Sequence, residues 1–276
     1  MKFHKMHGLG NDFVLIDTIE NRRVRSLNDS VLSNLAVQLS HRRFGIGADQ
    51  VLLLYPSESA DYRMRILNAD GSEVEMCGNG IRCFAKYVWS KGYSRKKVLA
   101  IETPAGIIRP EKQGNLVRVD MGTPILDGEK IPVKLPGKVQ NHPLTIRDTT
   151  FLMTCVSMGN PHAVVFVDDV SNFPVSTYGP LIETHELFPK KTNVEFIERI
   201  NPREIRMRVW ERGTGETMAC GTGASAAVVA SALNGHTGRD VLVHLTGGDL
   251  MIEWTADNHV FMTGPAVKSF EGVIEL

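Results

Sequence analysis

Two cysteines that lie 143 residues apart occur in matching sequence contexts. Residues 63–80 align without a gap to residues 206–223, and seven of the eighteen positions are identical. Cys77 and Cys220 are the only chemically reactive pair among those positions. A duplicated half that supplies one thiol can place two acid/base groups on opposite sides of one substrate, so that a proton leaves one face and another returns to the other face. The pattern therefore predicts the chemistry of a racemase or an epimerase.

Each of these cysteines stands directly before an expected helix and is followed by Gly-x-Gly. The positive end of a helix stabilises a thiolate, so we expect the thiol pKa of both residues to fall below the free value of about 8.5. The glycines allow a tight turn whose N–H groups can hold an anion such as a carboxylate. The other two cysteines, Cys83 and Cys155, are expected to be small buried hydrophobic residues.

Composition favours a protein that acts on small molecules. The chain has 276 residues, of which 42% are hydrophobic, and its 31 basic and 31 acidic residues cancel. With no basic stripe and no apolar run near the roughly 18 residues that span a bilayer, we expect no nucleic-acid partner, no membrane segment and a cytoplasmic location. Four cysteines without a Cys-x-x-Cys arrangement predict free thiols rather than a disulfide framework or a zinc site.

The repeat indicates domain duplication, because Gly10-Asn11 and Gly159-Asn160 also match. We predict an N-terminal half over residues 1–122, completed by 265–276, and a C-terminal half over 145–264. The proline- and glycine-rich segment 123–144 is expected to connect them.

Apolar and β-branched runs predict strands, and apolar stripes predict helices. The expected strands are 13–16, 51–55, 63–67, 117–121, 163–167, 194–200, 206–210, 241–245 and 250–254. The expected helices are 27–42, 81–91 and 224–233, of which the second stops at Gly92 and the third is apolar almost all round.

Several polar residues could tune a thiol or bind a ligand. His162 follows a Gly-Asn-Pro turn and is the histidine best placed to tune a cysteine, although a surface-loop histidine is the simpler explanation. Glu211 and Arg212 could equally be an exposed ion pair. Amides near turns (Asn11, Gln50, Asn68, Asn160 and Asn193) commonly stabilise turns, but their pairing across the halves favours ligand binding.

Three cofactor signals are absent from the sequence. The segment Gly8-Leu9-Gly10 lacks the third glycine of a dinucleotide fingerprint. The spacing of Cys77 and Cys83 does not suit a metal, and no lysine stands in a context typical of a pyridoxal Schiff base. We therefore expect no cofactor and no metal.

Taken together, the motifs resemble the diaminopimelate epimerase family from end to end. These motifs are Met6–Phe13, Gly45–Gln50, Asn68–Glu73, Cys77–Cys83, Met158–His162, Glu211–Gly213 and Ala219–Gly223. The resemblance implies cofactor-independent epimerisation of LL-diaminopimelate to meso-diaminopimelate in lysine and cell-wall precursor biosynthesis. It also implies two similar α/β (α+β) domains related by a pseudo-two-fold duplication, each a curved mixed sheet around a central helix, with substrate between them.

Carried over residue by residue, the resemblance makes Cys77 and Cys220 the catalytic thiols, with His162 and Glu211 adjusting their pKa. The implied substrate contacts are Asn11, Gln50, Asn68, Gly78, Asn79, Asn160, Asn193, Glu211, Arg212, Gly221 and Thr222. A homodimer is implied as well, with Phe270 where some relatives carry a tyrosine at the dimer contact.

Two alternatives remain open at the level of sequence. One is a related two-cysteine racemase of the proline or hydroxyproline type, whose site would not need to hold a second amino-acid head. The other is a noncatalytic small-molecule binding protein with structural cysteines, which would incorporate no solvent deuterium into a substrate.

Overall fold

The computed structural model describes residues 1–75 and 77–275. The chain divides into two compact units: unit 1 comprises Met1–Val119 and Gly264–Leu276, and unit 2 comprises Asp120–Thr263. The segment 123–144, expected as a connection, belongs to unit 2. Its apolar residues Ile131, Val133 and Val139 are buried in the core of that unit. The segment is therefore packed structure rather than a bare linker.

The helices of both units lie between groups of strands along the chain. The helices are α1 (Arg22–Arg25), α2 (Asp29–Ser40), α3 (Gly78–Ser90), α4 (Val175–Glu183) and α5 (Gly221–Leu233). The strands are β1 (Lys2–Gly8), β2 (Asn11–Asp17), β3 (Gln50–Tyr55), β4 (Tyr62–Asn68), β5 (Glu73–Val74), β6 (Ile101–Thr103), β7 (Gly106–Ile108), β8 (Glu111–Gln113), β9 (Leu116–Asp120), β10 (His142–Ile146), β11 (Thr149–Ser157), β12 (Pro161–Phe166), β13 (Asn193–Asn201), β14 (Glu204–Glu211), β15 (Gly215–Thr217), β16 (Asp240–Leu245), β17 (Gly248–Trp254), β18 (Val260–Gly264) and β19 (Val267–Val273).

The sheet of unit 1 has the order β19-β1-β2-β3-β4-β6-β7, with β5 paired to β4. Pairs β2/β3 and β4/β6 are parallel, whereas β1/β2, β3/β4 and β6/β7 are antiparallel. Parallel neighbours need a crossover, and α2 and α3 supply the two crossovers. The sheet is mixed, and its central strands β2 and β3 are apolar and buried.

The sheet of unit 2 repeats this topology. Its order β10-β11-β12-β13-β14-β16-β17-β18, with β15 on β14, has parallel pairs at β12/β13 and β14/β16. The register of the first parallel pair is also repeated, because Phe13 is opposite Gln50 in unit 1 and His162 is opposite Asn193 in unit 2. The prediction of a duplicated mixed α/β fold is confirmed.

One helix in each unit packs against strands from across its own sheet. Helix α3 contacts β1, β2, β3, β4 and β19, and α5 contacts β11, β12, β13, β16 and β17. The apolar composition of α5 follows from this central position, since its residues are buried on nearly all sides. Both helices begin three residues earlier than the sequence predicts, at Gly78 and Gly221, because each cysteine itself caps its helix.

Other departures from the predicted elements have local causes. Helix α2 begins at Asp29 because Asn28 caps it, and it ends at Ser40 instead of residue 42. Strand β1 was not predicted because its lysines and histidines look exposed, yet His4 and Lys5 are buried. Helix α4 was missed because Gly179 and Pro180 interrupt its pattern; the glycine is required since a Cβ there would lie 2.6 Å from the Trp210 ring.

Candidate active site

The thiol of Cys77 is the N-cap of α3. The residue has an extended backbone, and the N–H of Gly80 donates a hydrogen bond to its Sγ at 3.4 Å. The thiol lies 3.8 Å from the Asn11 Oδ1 atom, to which it can donate. Asn79, in the first turn of the helix, donates to the same oxygen at 3.3 Å. In unit 1 a backbone N–H and two amide side chains thus lie beside the cysteine, which also interacts electrostatically with the buried Arg82 guanidinium.

The orientation of Asn11 is fixed by a charged network behind it. Its Nδ2 donates to Asp49 Oδ2 at 2.9 Å, and Arg42 bridges Asp49 and Asp12. Burial would raise the pKa of Asp12, but hydrogen bonds from Arg42 and Lys5 outweigh it and hold the pKa at about 2. Because the amide nitrogen is committed to Asp49, the amide oxygen faces Cys77.

Gln50 and Asn68 form a second amide pair in unit 1. Gln50 Nε2 donates to Asn68 Oδ1 at 2.9 Å, and Asn68 Nδ2 donates to Ser72 Oγ at 2.9 Å. The Oε1 atom of Gln50 and the Oδ1 atom of Asn79 are buried without a hydrogen-bond partner among the described residues. Buried acceptors without donors are costly unless a ligand satisfies them. These oxygens suit a ligand with ammonium or hydroxyl donors.

The thiol of Cys220 has the same backbone geometry as Cys77. It caps α5, and the N–H of Gly223 donates to its Sγ at 3.4 Å. Thr222 Oγ1 lies 3.4 Å from the sulfur, and Glu211 is hydrogen-bonded to the thiol. Glu211 also accepts a 2.5 Å hydrogen bond from Thr217 Oγ1. Unit 2 therefore adds a carboxylate where unit 1 has an amide.

The expected lowering of the Cys220 pKa by the helix is wrong for this structure. Burial raises the pKa of this thiol well above its usual value, and the charges of Glu211 and Glu195 raise it further. Hydrogen bonds from Thr222 and Gly223 act in the opposite direction but are weaker. Burial likewise raises the pKa of Glu211. Desolvation and negative neighbours thus outweigh the helix end, and Cys220 is a protonated thiol.

His162 is part of a buried chain of polar groups rather than a surface loop. Its Nδ1 lies 2.7 Å from Glu195 Oε1, and both side chains are 0% exposed. Its Nε2 lies 3.0 Å from Asn160 Oδ1. The sequence patterns do not predict Glu195 as a functional residue. A signal was available, because Glu195 places a carboxylate in the apolar first part of strand β13, at the position that Leu52 has in the first repeat.

The remaining predicted residues of unit 2 have different environments. Asn193 is buried and both ends of its amide are hydrogen-bonded, since Nδ2 donates to Pro161 O at 2.9 Å and Oδ1 accepts from Arg212 N at 2.9 Å. The Arg212 side chain is exposed and donates from Nη1 to Lys190 O at 3.1 Å. Asn193 therefore orients the backbone at Arg212, while the guanidinium keeps other donors for a ligand.

The other cysteines are interior residues, as expected. Cys83 and Cys155 are buried free thiols, and burial raises the pKa of Cys83 to about 12. Cys220 is also a free thiol. The described residues contain no His, Cys, Asp or Glu cluster that could hold a metal ion. Within the same residues, no helix is long and apolar enough to cross a membrane.

The fold belongs to a class shared by several isomerase-type and biosynthetic proteins. A phenazine biosynthesis protein of the PhzF family from Bacillus anthracis aligns with a TM-score of 0.73 at 17% identity, covering 100% of this chain and 99% of that chain. A probable proline racemase from Agrobacterium radiobacter aligns with a TM-score of 0.69 at 16% identity, covering 100% of this chain and 93% of that chain. At such low identities the likeness shows the two-unit fold alone.

Sequence comparisons identify the family. The model for diaminopimelate epimerase matches residues 3–126 and 154–269. A diaminopimelate epimerase from Moorella thermoacetica is 56% identical, covering 99% of this chain and 98% of its own length. One from Methanococcus maripaludis is 51% identical over 100% of both chains. The chain belongs to the diaminopimelate epimerase family, and is an isomerase.

Proposed function

We propose that this chain interconverts LL- and meso-diaminopimelate without a cofactor, in lysine and cell-wall precursor biosynthesis, with Cys77 and Cys220 as the two acid/base groups. One observation carries the proposal. Each thiol caps the equivalent helix of its unit and accepts a backbone hydrogen bond from the residue three positions later, at 3.4 Å in both cases. Two such thiols can act as the base that removes the α-proton and the acid that returns a proton.

The two thiols exchange roles during the reaction. A thiolate takes the proton from the α-carbon and becomes a thiol, and the opposing thiol gives its proton to the other face of the same carbon and becomes a thiolate. Because the pKa of Cys220 is raised, this residue holds its proton at rest and donates first. Cys77, beside the neutral amides of Asn11 and Asn79, takes the proton in that direction.

The helix starts stabilise the charge that develops on the substrate. An α-proton of an amino acid is far less acidic than a thiol, so the carbanion needs preorganised donors. The backbone N–H groups at Gly78, Asn79, Gly221 and Thr222 lie at the positive ends of α3 and α5 and can hold the α-carboxylate. His162 and Glu211 set the protonation of Cys220 from within unit 2.

The polar side chains divide between binding and support. Asn11, Gln50 and Asn79 offer acceptor oxygens for an ammonium group. Arg212 and Asn160 offer donors for a carboxylate at the far end of the substrate. Asn68 and Asn193 complete the proposed set of contacts, and their engaged amides hold Gln50 and Arg212 in place.

The domain division and the assembly are also proposals. We propose that the halves carrying Cys77 and Cys220 are the two functional domains of the protein. We propose a homodimer in which Phe270 is a contact residue, and a cytoplasmic location, as fits amino-acid biosynthesis. The family match favours diaminopimelate over proline or hydroxyproline as the substrate.

Proton exchange in heavy water tests the reaction directly. LL-diaminopimelate incubated with the protein in D₂O should gain deuterium at one α-carbon and become meso-diaminopimelate, as followed by NMR and chiral chromatography. Cys77→Ala and Cys220→Ala should each abolish epimerisation, with losses on the order of 10³-fold or more, because each removes one of the two bases.

Cys83→Ala is the matched control, since it removes a buried thiol from the same helix that Cys77 caps. It should keep activity close to that of the unaltered protein. Absence of deuterium incorporation with the unaltered protein would contradict the proposal, as would full turnover by either catalytic-cysteine variant.

A further inference from the structure

We infer that Glu195 is a positioning residue for the Cys220 site. Its carboxylate orients the His162 ring through a hydrogen bond, and the ring fixes the Asn160 amide so that the amide NH₂ group is presented to a ligand carboxylate. The part that concerns substrate rests on the proposed function. The part that concerns the ring and the amide does not.

The chain of contacts Glu195–His162–Asn160 is continuous, with the first two residues buried and Asn160 half-buried. The first link measures 2.7 Å between Glu195 Oε1 and His162 Nδ1, and the second measures 3.0 Å between His162 Nε2 and Asn160 Oδ1. Glu195 and His162 are 0% exposed, so water does not compete for either group. Strands β12 and β13 are parallel neighbours, and this pairing brings the two side chains together.

Hydrogen-bond chemistry fixes the protons on the ring. A carboxylate only accepts, so His162 Nδ1 carries a proton that it donates to Glu195. The Asn160 Oδ1 atom also only accepts, so Nε2 carries a second proton. The ring therefore donates one hydrogen bond to Glu195 and one to Asn160. The other oxygen of that carboxylate, Oε2, is buried without a hydrogen-bond partner among the described residues, so the ring is its main stabilising contact.

The first repeat shows what happens without such a pair. The equivalent positions in unit 1 hold Leu52 and Phe13, which are apolar and buried. There the paired amide, Asn11, is held through its nitrogen by Asp49 and turns its oxygen toward the thiol. In unit 2 the amide is held through its oxygen, which leaves its nitrogen to donate. The duplicated amides are thus oriented with opposite polarity, one as an acceptor and the other as a donor.

The carboxylate of Glu195 also lies against the start of α5. A Cβ at Gly223 would lie 2.7 Å from Glu195 Oε1, whereas a Cβ at the equivalent Gly80 would meet Leu52 Cδ2 at 3.3 Å. The glycine makes room for the charged oxygen close to the Cys220 sulfur. This placement agrees with the contribution of Glu195 to the raised pKa of Cys220.

Nitrogen-15 NMR of histidine-labelled protein tests the ring. We expect the His162 signals, identified by their loss in His162→Gln, to show an N–H at Nδ1 and an N–H at Nε2, both hydrogen-bonded. In Glu195→Gln, which keeps the shape but removes the charged acceptor, the Nδ1–H signal should move because its hydrogen bond to a carboxylate is lost. Glu198→Gln is the control. It removes another carboxylate of strand β13, one that pairs with Arg206 instead of with His162.

A binding measurement tests the consequence for Asn160. In a Cys220→Ala background, which removes the thiol and its titration, Glu195→Gln should raise the Kd of meso-diaminopimelate about tenfold, the cost of one lost hydrogen bond to a charged group. Glu198→Gln in that background should leave the Kd unchanged.

The inference is overturned by a His162 ring that lacks one of the two N–H groups in the unaltered protein, by unchanged ring signals in Glu195→Gln, or by an unchanged Kd. Failure of the proposed function looks different. In that case the protein would neither incorporate deuterium nor bind diaminopimelate, while the NMR spectrum would still report the ring.

Discussion

At the residue scale, Cys220 shows how the surroundings of a thiol can override its place on a helix. Both cysteines cap helices through the same backbone hydrogen bond. The pKa of Cys220 is nevertheless raised. Burial has the largest effect on it, and the negative charges of Glu211 and Glu195 have the next largest. A helix end contributes only a modest stabilisation, whereas desolvation of a fully buried group can shift a pKa by several units. Cys220 is therefore suited to donate a proton.

Glu211→Gln should lower the pKa of Cys220, because it removes a negative charge that disfavours the thiolate. Below its pKa the thiol is protonated and unreactive, so the pH at which alkylation begins should move down, by about one unit or more. The rate of Cys220 alkylation by iodoacetamide, measured across pH by mass spectrometry, reports this midpoint.

Glu216→Gln is the matched control, since Glu216 pairs with Arg208 on the surface of the same unit. In this control, the pH midpoint of Cys220 alkylation should equal that of the unaltered protein. A midpoint for Glu211→Gln that stays in place or moves up would show that Glu211 does not act on the thiol through its charge.

At the element scale, the repeated strand–turn–helix unit positions the chemistry. In each unit a short hairpin strand precedes the cysteine, and a buried helix follows it. The glycine three residues after the cysteine brings the helix start close to the strand below. What lies on that strand differs, because Leu52 is apolar and Glu195 is charged. The duplicated helices are therefore alike in backbone and different in electrostatics.

Gly223→Ala and Gly80→Ala form a matched pair that measures this difference. An alanine at 223 would place its methyl group 2.7 Å from Glu195 Oε1, whereas one at 80 would meet the movable end of Leu52 at 3.3 Å. We expect Gly223→Ala to lower the free energy of unfolding by about 2 kcal/mol relative to Gly80→Ala, since both variants gain the same helix propensity and only the first meets the carboxylate.

Hydrogen exchange of α3 and α5 under increasing urea would report each unit separately. The alanine at 80 should leave α3 protected close to the level of the unaltered protein. Equal losses of protection in the two variants would mean that the Glu195 carboxylate does not restrict the start of α5.

At the scale of the whole molecule, the edge strand β19 presents an unusual surface. It is paired with β1 in the sheet of unit 1, and its other edge has no strand partner among the described residues. Val267, Phe270 and Val273 on this strand are exposed, and Phe270 is 51% exposed. Exposed edges with large apolar side chains invite pairing with another chain. This surface supports the proposed homodimer.

Phe270→Asp should weaken the dimer, because it places a charge on the apolar edge. Sedimentation velocity at micromolar concentration should show a shift from dimer to monomer, with an increase in the dimer Kd of at least about tenfold. Val31→Asp on α2 is the control, as Val31 is an exposed apolar residue away from this strand. A monomeric unaltered protein, or an unchanged dimer in Phe270→Asp, would contradict the assignment.

Much of the architecture was predictable because it depends on local pattern. Apolar runs predict strands β3 and β4, and the Gly-x-Gly sequence followed by apolar residues predicts the helix after each cysteine. Strand β1 was not predictable in this way. Lys5 can be buried because Asp12, on the neighbouring strand, pairs with it at 2.6 Å and the Gly47 carbonyl oxygen accepts a hydrogen bond from it, and both contacts arise from the fold.

The sequence by itself determined the duplication, the two thiols at helix starts and the family, since these depend on residue types and their spacing. Only the tertiary structure decided that Cys220 keeps its proton and that Glu195 meets His162 across 33 positions of chain. Strand pairing and burial govern both, and both arise from contacts that are distant in sequence. A thiol's charge depends on the solvent and charges around it, so its pKa could be read only after the fold had placed those groups.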